Sequence, residues 1–320
     1  MINKTMDITH DQSGMLDDYN ENEMFPNLQP VPSPMVDKPV GNPLAKYFRL
    51  PGLSVSLPTK GVFFPVGGIE LDDNGEVSVY PMKAADELLL SSPDALMNNT
   101  AIINLVASCV PQIKLPQMVS SPDLDVLLLA IRVASTGPMM ESEAVCPECR
   151  ETTQFEIDIP EVLNQVKTIE PVNTIRLSDD LIVYINPHTI AVQSKIFNEA
   201  FKQTRAAQAL EMNDELTDEE RSIQASMIMK KLAEINLYGV EQCVVKVSIP
   251  GTEVTDRQYI KDFMDNIDSK KLNVIRKAVE KLNNEGIDKT IEVECAHCKH
   301  KWTTEIEFNP ATFFGDRSSD

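Results

Sequence analysis

The stretch VCPECRETTQFEID, residues 145–158, joins a CxxC pair to a segment in which apolar and polar residues alternate, and it decides the fold. A lone CxxC pair is a redox couple, half of a metal site or two unrelated thiols. A second pair lies far along the chain in ECAHCKHKWTTEIEF, residues 294–308, where Thr residues, an alternating acidic segment and a proline again follow the cysteines. We interpret the two stretches as one supersecondary unit that occurs twice.

Two such knuckles complete a four-cysteine zinc site. Two residues between the cysteines allow a tight turn that puts both thiolates on one edge of a tetrahedron, with Zn–S distances of about 2.3 Å. The predicted ligands are Cys146, Cys149, Cys295 and Cys298. Four protein ligands leave no coordination position for water, so the predicted Zn2+ is structural and not catalytic.

Two other interpretations of the cysteines stay open at this point. His297 or His300 could replace one cysteine in a set of three cysteines and one histidine. Alternatively, the pairs could be redox centres. A thioredoxin-type CxxC begins a helix, where the helix dipole lowers the thiol pKa, whereas both pairs here lead into predicted strands.

The composition favours a soluble protein that avoids anionic partners. Lys and Arg number 29 against 49 Asp and Glu, a formal net charge of -20, and this charge repels phosphate backbones and anionic membranes. No apolar run approaches the about 18 residues of a membrane span, and residues 1–20 lack a signal-peptide pattern. Six cysteines are too few for a disulfide scaffold. We expect a protein made in the cytoplasm, with no membrane partner.

The remaining cysteines and histidines do not indicate an enzyme. Cys109 and Cys243 lie in apolar surroundings and are expected to be small buried side chains. His10 lies in the N-terminal segment, and His188 precedes a predicted helix, where a capping or surface role is expected. The sequence contains no phosphate-binding loop, dinucleotide fingerprint or zinc-protease motif. We expect no catalytic residues and no small-molecule substrate.

The chain before the first knuckle divides in two. Residues 1–43 are rich in Asp, Asn, Glu and Pro, which predicts a disordered tail, and Met24 and Phe25 could form a short partner-binding motif within it. Residues 44–140 predict a β-then-α lobe. Strand formers such as Val62, Phe63 and Phe64, with a hairpin turn at residues 73–75, come first. Helices follow, two of which open with Ser-Pro-Asp at residues 92–94 and 121–123.

The chain between the knuckles, residues 161–289, predicts a mainly helical insert. A strand pair at residues 175–185 precedes a helix, a capping box at Thr217 and Glu220 opens a second helix that extends to about Leu237, and two amphipathic helices end near Gly286. Closing the intervening loop costs roughly 4 kcal/mol plus a constant. A structural zinc supplies about 10–16 kcal/mol in small peptides.

The metal is therefore expected to hold a split zinc ribbon closed around the insert. The ribbon consists of residues 141–160 and 290–314, and residues 315–320 form a C-terminal tail. The predicted fold class is α+β: a small N-terminal β region, a helical middle, and a split zinc-ribbon-like β unit that a large, mostly helical insert interrupts.

Six short stretches, in their order along the chain, resemble a known family. They are YFRLPG at residues 47–52, LPTKG at residues 57–61 with Phe63, MKAADE at residues 82–87, SCV at residues 108–110, LAIR at residues 129–132, and the CPEC knuckle at residues 146–149. Together they resemble the T4-like tailed-phage baseplate proteins of the hub assembly group, over about residues 44–314. The acidic tail lies outside the resemblance.

The resemblance implies a phage-encoded, non-enzymatic protein that acts at the baseplate hub of a contractile tail. It would be found in the host cytoplasm during assembly, and the family does not settle whether it stays in the virion. Other tail and baseplate hub proteins are the implied partners, with the tape-measure protein as a further candidate. A rival interpretation is a regulatory zinc ribbon that binds nucleic acid through Lys299, His300, Lys301 and Trp302. Surrounding glutamates oppose that interpretation.

Overall fold

The computed structural model describes residue 42 and residues 44–92, 99–213 and 216–306. The chain divides into two units, residues 1–48 and residues 49–320. In the first unit, the described part contains one turn of 3-10 helix at Ala45–Tyr47. Several predictions fall outside the described residues: nearly all of the N-terminal tail with Met24 and Phe25, the Pro-Asp helix start at residues 93–94, and the chain from residue 307 onward.

The second unit mixes helices and strands, which confirms the predicted fold class. Its helices are α1 (Ala84–Leu90), α2 (Thr100–Cys109), α3 (Ser121–Thr136), α4 (Ile159–Leu163), α5 (Ile190–Glu211), α6 (Asp218–Cys243), α7 (Arg257–Asn266) and α8 (Ser269–Asn283). Its strands are β1 (Leu53–Ser56), β2 (Glu76–Val79), β3 (Met139–Val145), β4 (Thr152–Asp158), β5 (Asn173–Ser178), β6 (Leu181–Ile185), β7 (Val244–Ile249), β8 (Thr252–Val254), β9 (Thr290–Glu294) and β10 (Lys301–Glu305). None of the helices that the structure describes has the length and apolar character that a membrane crossing requires.

The small N-terminal β region is an antiparallel pair of β1 and β2. The predicted turn forms, because Gly75 adopts a φ of +78° and its N–H donates to the carbonyl oxygen of Asp72 at 3.0 Å. The segment before the turn does not form the expected hairpin strand. Instead Ile69 makes an isolated bridge to Ile113, and β2 pairs with the earlier strand β1.

The chain between the two knuckles contains a four-stranded antiparallel sheet in the order β5-β6-β7-β8. The sequence predicted the β5–β6 pair but neither β7 nor β8. The sequence also predicted that α6 ends near Leu237, whereas the helix continues to Cys243 and β7 begins at the next residue. An apolar run directly after a helix has no breaker to mark the change, so periodicity alone could not locate this boundary.

The described part of the second unit contains two apolar cores. The first contains β1, β2, α2 and the centre of α3, where Leu127, Leu129 and Ile131 are fully buried. All buried members of the second core lie between Ile169 and Leu282. Residues Phe63 and Phe64, predicted in a strand, lie in a turn, and each packs against a different core: Phe63 against the second and Phe64 against the first.

A buried carboxylate joins the loop after β1 to the start of α3. Asp123 is fully buried and accepts hydrogen bonds from the N–H and Oγ1 of Thr59, at 3.0 and 2.5 Å, and from Ser120 Oγ at 2.8 Å. Burial raises the pKa of Asp123, and these donors oppose the increase. Ser120, one residue earlier than predicted, is the N-cap of the helix.

Candidate metal centre

Two hairpins of the same design carry the cysteine knuckles. In the first, β3 pairs antiparallel with β4 and the last paired residues are Val145 and Thr152. In the second, β9 pairs with β10 and the last pair is Glu294 and Lys301. Each hairpin therefore ends in a loop of equal length, residues 146–151 and 295–300. The strands after the knuckles were predicted, whereas β3 and β9, which precede them, were not.

The two loops also share their backbone hydrogen bonds. In each, the N–H of the first cysteine donates to the carbonyl oxygen five residues later, at 2.9 Å in both. The residue after the second cysteine, Arg150 or Lys299, has a φ of +61° and donates its N–H to the carbonyl oxygen of the first cysteine, at 2.9 and 3.1 Å. The internal repeat therefore extends from the sequence to the local conformation.

These loops bring the four predicted ligands into one cluster. Their Sγ atoms all lie within 4.8 Å of one another, and the pairs Cys146–Cys298 and Cys149–Cys295 are 3.6 Å apart. Zinc with Zn–S bonds of about 2.3 Å requires a tetrahedron with edges of about 3.8 Å. The cluster therefore fits a tetrahedral metal, and it does so with donors from both hairpins.

The thiols of Cys295 and Cys149 have pKa values shifted in opposite directions. The backbone N–H of Cys298 donates to Cys295 Sγ at 3.4 Å and is the main reason that the pKa of Cys295 falls to about 5. Thr153 Oγ1 also donates to this sulfur at 3.6 Å. The amide of Glu151 lowers the pKa of Cys149, but desolvation and the neighbouring sulfurs outweigh it and raise the value to about 12. A bound cation would remove this difference, because it favours the thiolate form of each sulfur that coordinates it.

The histidines of the second knuckle lie outside the cluster. Within the part of the chain that the structure describes, the four cysteines are the only group of His, Cys, Asp and Glu side chains placed to hold a metal. His297 is exposed, and the ring of His300 stacks on Trp302 at a centroid distance of 6.3 Å. The arrangement therefore favours the all-cysteine set over the set with one histidine.

The surroundings of the cysteines also bear on the other two interpretations. Each CxxC pair lies between two strands, and neither begins a helix, so the helix dipole that activates a thioredoxin-type thiol does not act here. In the basic cluster, Lys299 and Lys301 both lie close to Glu294, at 3.9 and 3.4 Å. This carboxylate reduces the positive charge that a phosphate backbone would meet.

The first core anchors both hairpins at the ends opposite the cysteines. Met140 and Ile157 of the first hairpin are buried members of this core. From the second hairpin, Ile306 joins the same core, and its N–H donates to the carbonyl oxygen of Lys289 at 2.8 Å. Lys289 Nζ in turn lies 2.5 Å from Asp125 of α3. The two sequence-distant hairpins therefore have a common base below the cysteine cluster.

Cys109 and Cys243 are buried, as predicted. Burial is the main cause that raises the pKa of Cys109 to about 11 and that of Cys243 to about 12, so both thiols stay protonated at neutral pH.

The role of His188 differs from the predicted capping or surface role, since Thr189 caps α5. The backbone N–H of His188 donates to Asn283 Oδ1 at 2.7 Å. The amide nitrogen Nδ2 of Asn283 is therefore the donor to the ring nitrogen Nδ1 of His188, at 3.1 Å. Nε2 carries the proton and donates to the carbonyl oxygen of Gly239 at 3.0 Å. His188 therefore connects α5, α6 and α8, a role that depends on long-range contacts and has no local sequence signal.

Comparison with known families identifies the class of protein. The model of the family described as T4 bacteriophage base plate protein matches residues 69–315, most of the chain. The protein belongs to this family. It is thus a bacteriophage baseplate protein, and membership implies contacts with other baseplate or tail proteins of the phage. No curated protein and no solved structure matches the chain significantly.

Proposed function

We propose that this protein is a structural or assembly component of the baseplate hub in a contractile phage tail, and that it acts through protein–protein contacts without catalysis. The match to the baseplate family over residues 69–315 carries this proposal. The protein would act in the host cytoplasm while the tail is assembled and could remain in the virion. Its partners would be other hub proteins and the tape-measure protein.

The proposal includes one structural Zn2+ held by Cys146, Cys149, Cys295 and Cys298. The sulfur spacing supports it, because the 3.6 Å pairs are close to the about 3.8 Å edge of a zinc–thiolate tetrahedron. When bound, the metal would supply a cross-link and leave no position for a substrate or water. The sulfurs come from two hairpins, so this cross-link joins two distant parts of the sequence.

We further propose that residues 161–289 form an insert within a split ribbon of residues 141–160 and 290–314, next to a lobe of residues 44–140. Where the insert leaves and returns, the N–H of Lys167 donates to the carbonyl oxygen of Gly286 at 2.7 Å. The second core lies within the insert, whereas both hairpins pack on the first core. The ends of such an insert lie side by side, so it can form its own core, while Ile190 still packs in the first core and Phe63 of the lobe packs against the second.

A phage that lacks this protein tests the proposed function. Cells infected with a deletion mutant should accumulate incomplete baseplates in electron micrographs, and a plasmid copy of the gene should restore complete tails. An affinity-tagged copy should retain hub or tape-measure proteins from infected cells, and a tagged unrelated acidic protein is the control for charge alone. Normal baseplates in the deletion mutant would overturn the proposal.

A further inference from the structure

Helices α5 and α6 form an antiparallel hairpin whose outer part is exposed. From residue 218 to residue 238, α6 has no buried residue, and α5 buries only Ile190, Gln203 and Leu210. The root of α6 enters the second core through Val240 and Cys243. The outer part of α6 therefore has a face that the described chain does not cover.

An apolar stripe lies at the centre of this face. Ile223 and Met227 are 52% and 61% exposed, and residues four apart in a helix lie on the same side. Met229 is equally accessible, at 68%, but two residues turn the helix by about 200°, so it points away from Met227. The helix thus carries an exposed apolar pair on one side and a similar but separate side chain on the other.

Charges of opposite sign flank the two ends of the stripe. Glu219 and Lys230 are eleven residues apart, as are Glu220 and Lys231, and this spacing is about three helical turns. Each acid therefore lies on the same flank of the stripe as the corresponding lysine. The midpoints of both pairs, and of Ile223 with Met227, fall within half a residue of position 225.

We propose that a second copy of this chain packs antiparallel against α6, about a two-fold axis at the level of residue 225. A two-fold axis preserves the flank of each residue and inverts its position along the helix. Ile223 then contacts Met227 of the second copy, Glu219 meets its Lys230, and Glu220 meets its Lys231. The same pairs occur twice, so the face is complementary to itself in both shape and charge. This surface is independent of the proposed baseplate role.

The neighbouring charges decide which residues are suitable for a test. Glu220 accepts from Thr217 N–H and Oγ1 as part of the capping box, so changing it would also weaken the start of α6. Lys231 lies near Glu199 of α5; the pKa of that carboxyl is lowered mainly by the hydrogen bond from Lys202, and Lys231 adds a smaller contribution. Lys230 has only a 3.9 Å contact to Glu234 in its own helix, and both side chains are largely exposed. Glu219 and Lys230 are therefore the cleaner pair to exchange.

Sedimentation of the full chain, 35.7 kDa as a monomer, tests the proposal. The wild-type protein should dimerise reversibly with a dissociation constant in about the micromolar range, as expected for one small helix face. Met227→Glu places a charge in the apolar centre and should raise this constant by about tenfold or more. Met229→Glu is the matched control, with the same substitution on the same helix, and should leave the constant unchanged. Far-UV circular dichroism should show the same helix content in all three proteins.

A charge exchange tests the register. Lys230→Glu alone and Glu219→Lys alone each place like charges opposite one another and should be monomeric. Mixing the two variants pairs opposite charges at both contacts and should restore a dimer that contains one copy of each. A wild-type protein that stays monomeric, a dimer that Met227→Glu leaves intact or that Met229→Glu disrupts equally, or a mixture that does not dimerise would overturn the proposal.

Discussion

Replacing Cys298 by serine should destabilise the fold without disturbing any packed apolar surface, because this cysteine is exposed. The substitution removes one of the four proposed metal ligands. The proposed metal would close a loop of 145 residues between Cys149 and Cys295 (150 to 294 inclusive), and closing a loop of this length costs roughly (3/2)RT ln 145, about 4 kcal/mol.

Contacts that do not involve the metal determine how much of this closure free energy is lost in the variant. The base of the second hairpin is already held to the first core by Ile306 and by the ion pair between Lys289 and Asp125. Part of the closure is therefore maintained without metal, and we expect a loss of about 2–4 kcal/mol in the free energy of unfolding. For a chain of 320 residues the loss corresponds to a decrease of about 3–6 °C in melting temperature.

Differential scanning calorimetry of zinc-loaded wild-type and variant proteins measures this difference, with the zinc content determined on the same samples. His297→Ala is the matched control, because His297 is exposed in the same knuckle but lies outside the sulfur cluster. The reasoning is refuted if Cys298→Ser melts at the wild-type temperature, or if His297→Ala lowers the melting temperature equally.

Three further predictions concern contacts elsewhere in the second unit. Burial lowers the pKa of His188 in the folded protein. The stabilising contribution of His188 is therefore complete above the unfolded pKa of about 6.5 and is lost as the pH falls from there toward the folded pKa. His188→Gln should flatten this part of a plot of melting temperature against pH. Asp123→Ala leaves the buried donors of Thr59 without an acceptor and should lower the free energy of unfolding, measured by urea denaturation, by about 2–4 kcal/mol. A decrease below about 1 kcal/mol would contradict the role assigned to Asp123. Gly286→Ala meets Pro58 Cγ at 2.9 Å with a φ of +105° and should lower the melting temperature clearly more than Gly251→Ala, where the φ is also positive but no atom lies within 4 Å.

The cysteine cluster could be predicted because its signal is local and repeated. A CxxC knuckle determines its own turn, and the second copy in ECAHCKHKW repeats the spacing and the strand that follows. Spacing alone thus identified four side chains that the structure brings within 4.8 Å. That they bind zinc stays a prediction.

Other features depend on contacts between distant residues and were therefore missed. Strands β7 and β8 form because β6 offers an edge to pair with, and β2 leaves its predicted partner because β1 is available. Asp123 resembled an ordinary acid in the first turn of a helix, yet it lies buried against Thr59. Local pattern identifies candidate elements, whereas pairing and burial decide which candidates form.

The most direct test of this account is X-ray absorption spectroscopy at the zinc edge, together with metal analysis of the purified full-length protein. The account predicts one zinc per chain, surrounded by four sulfur atoms at about 2.3 Å. Protein that retains no zinc, or a coordination shell with a nitrogen ligand in place of one sulfur, would contradict it.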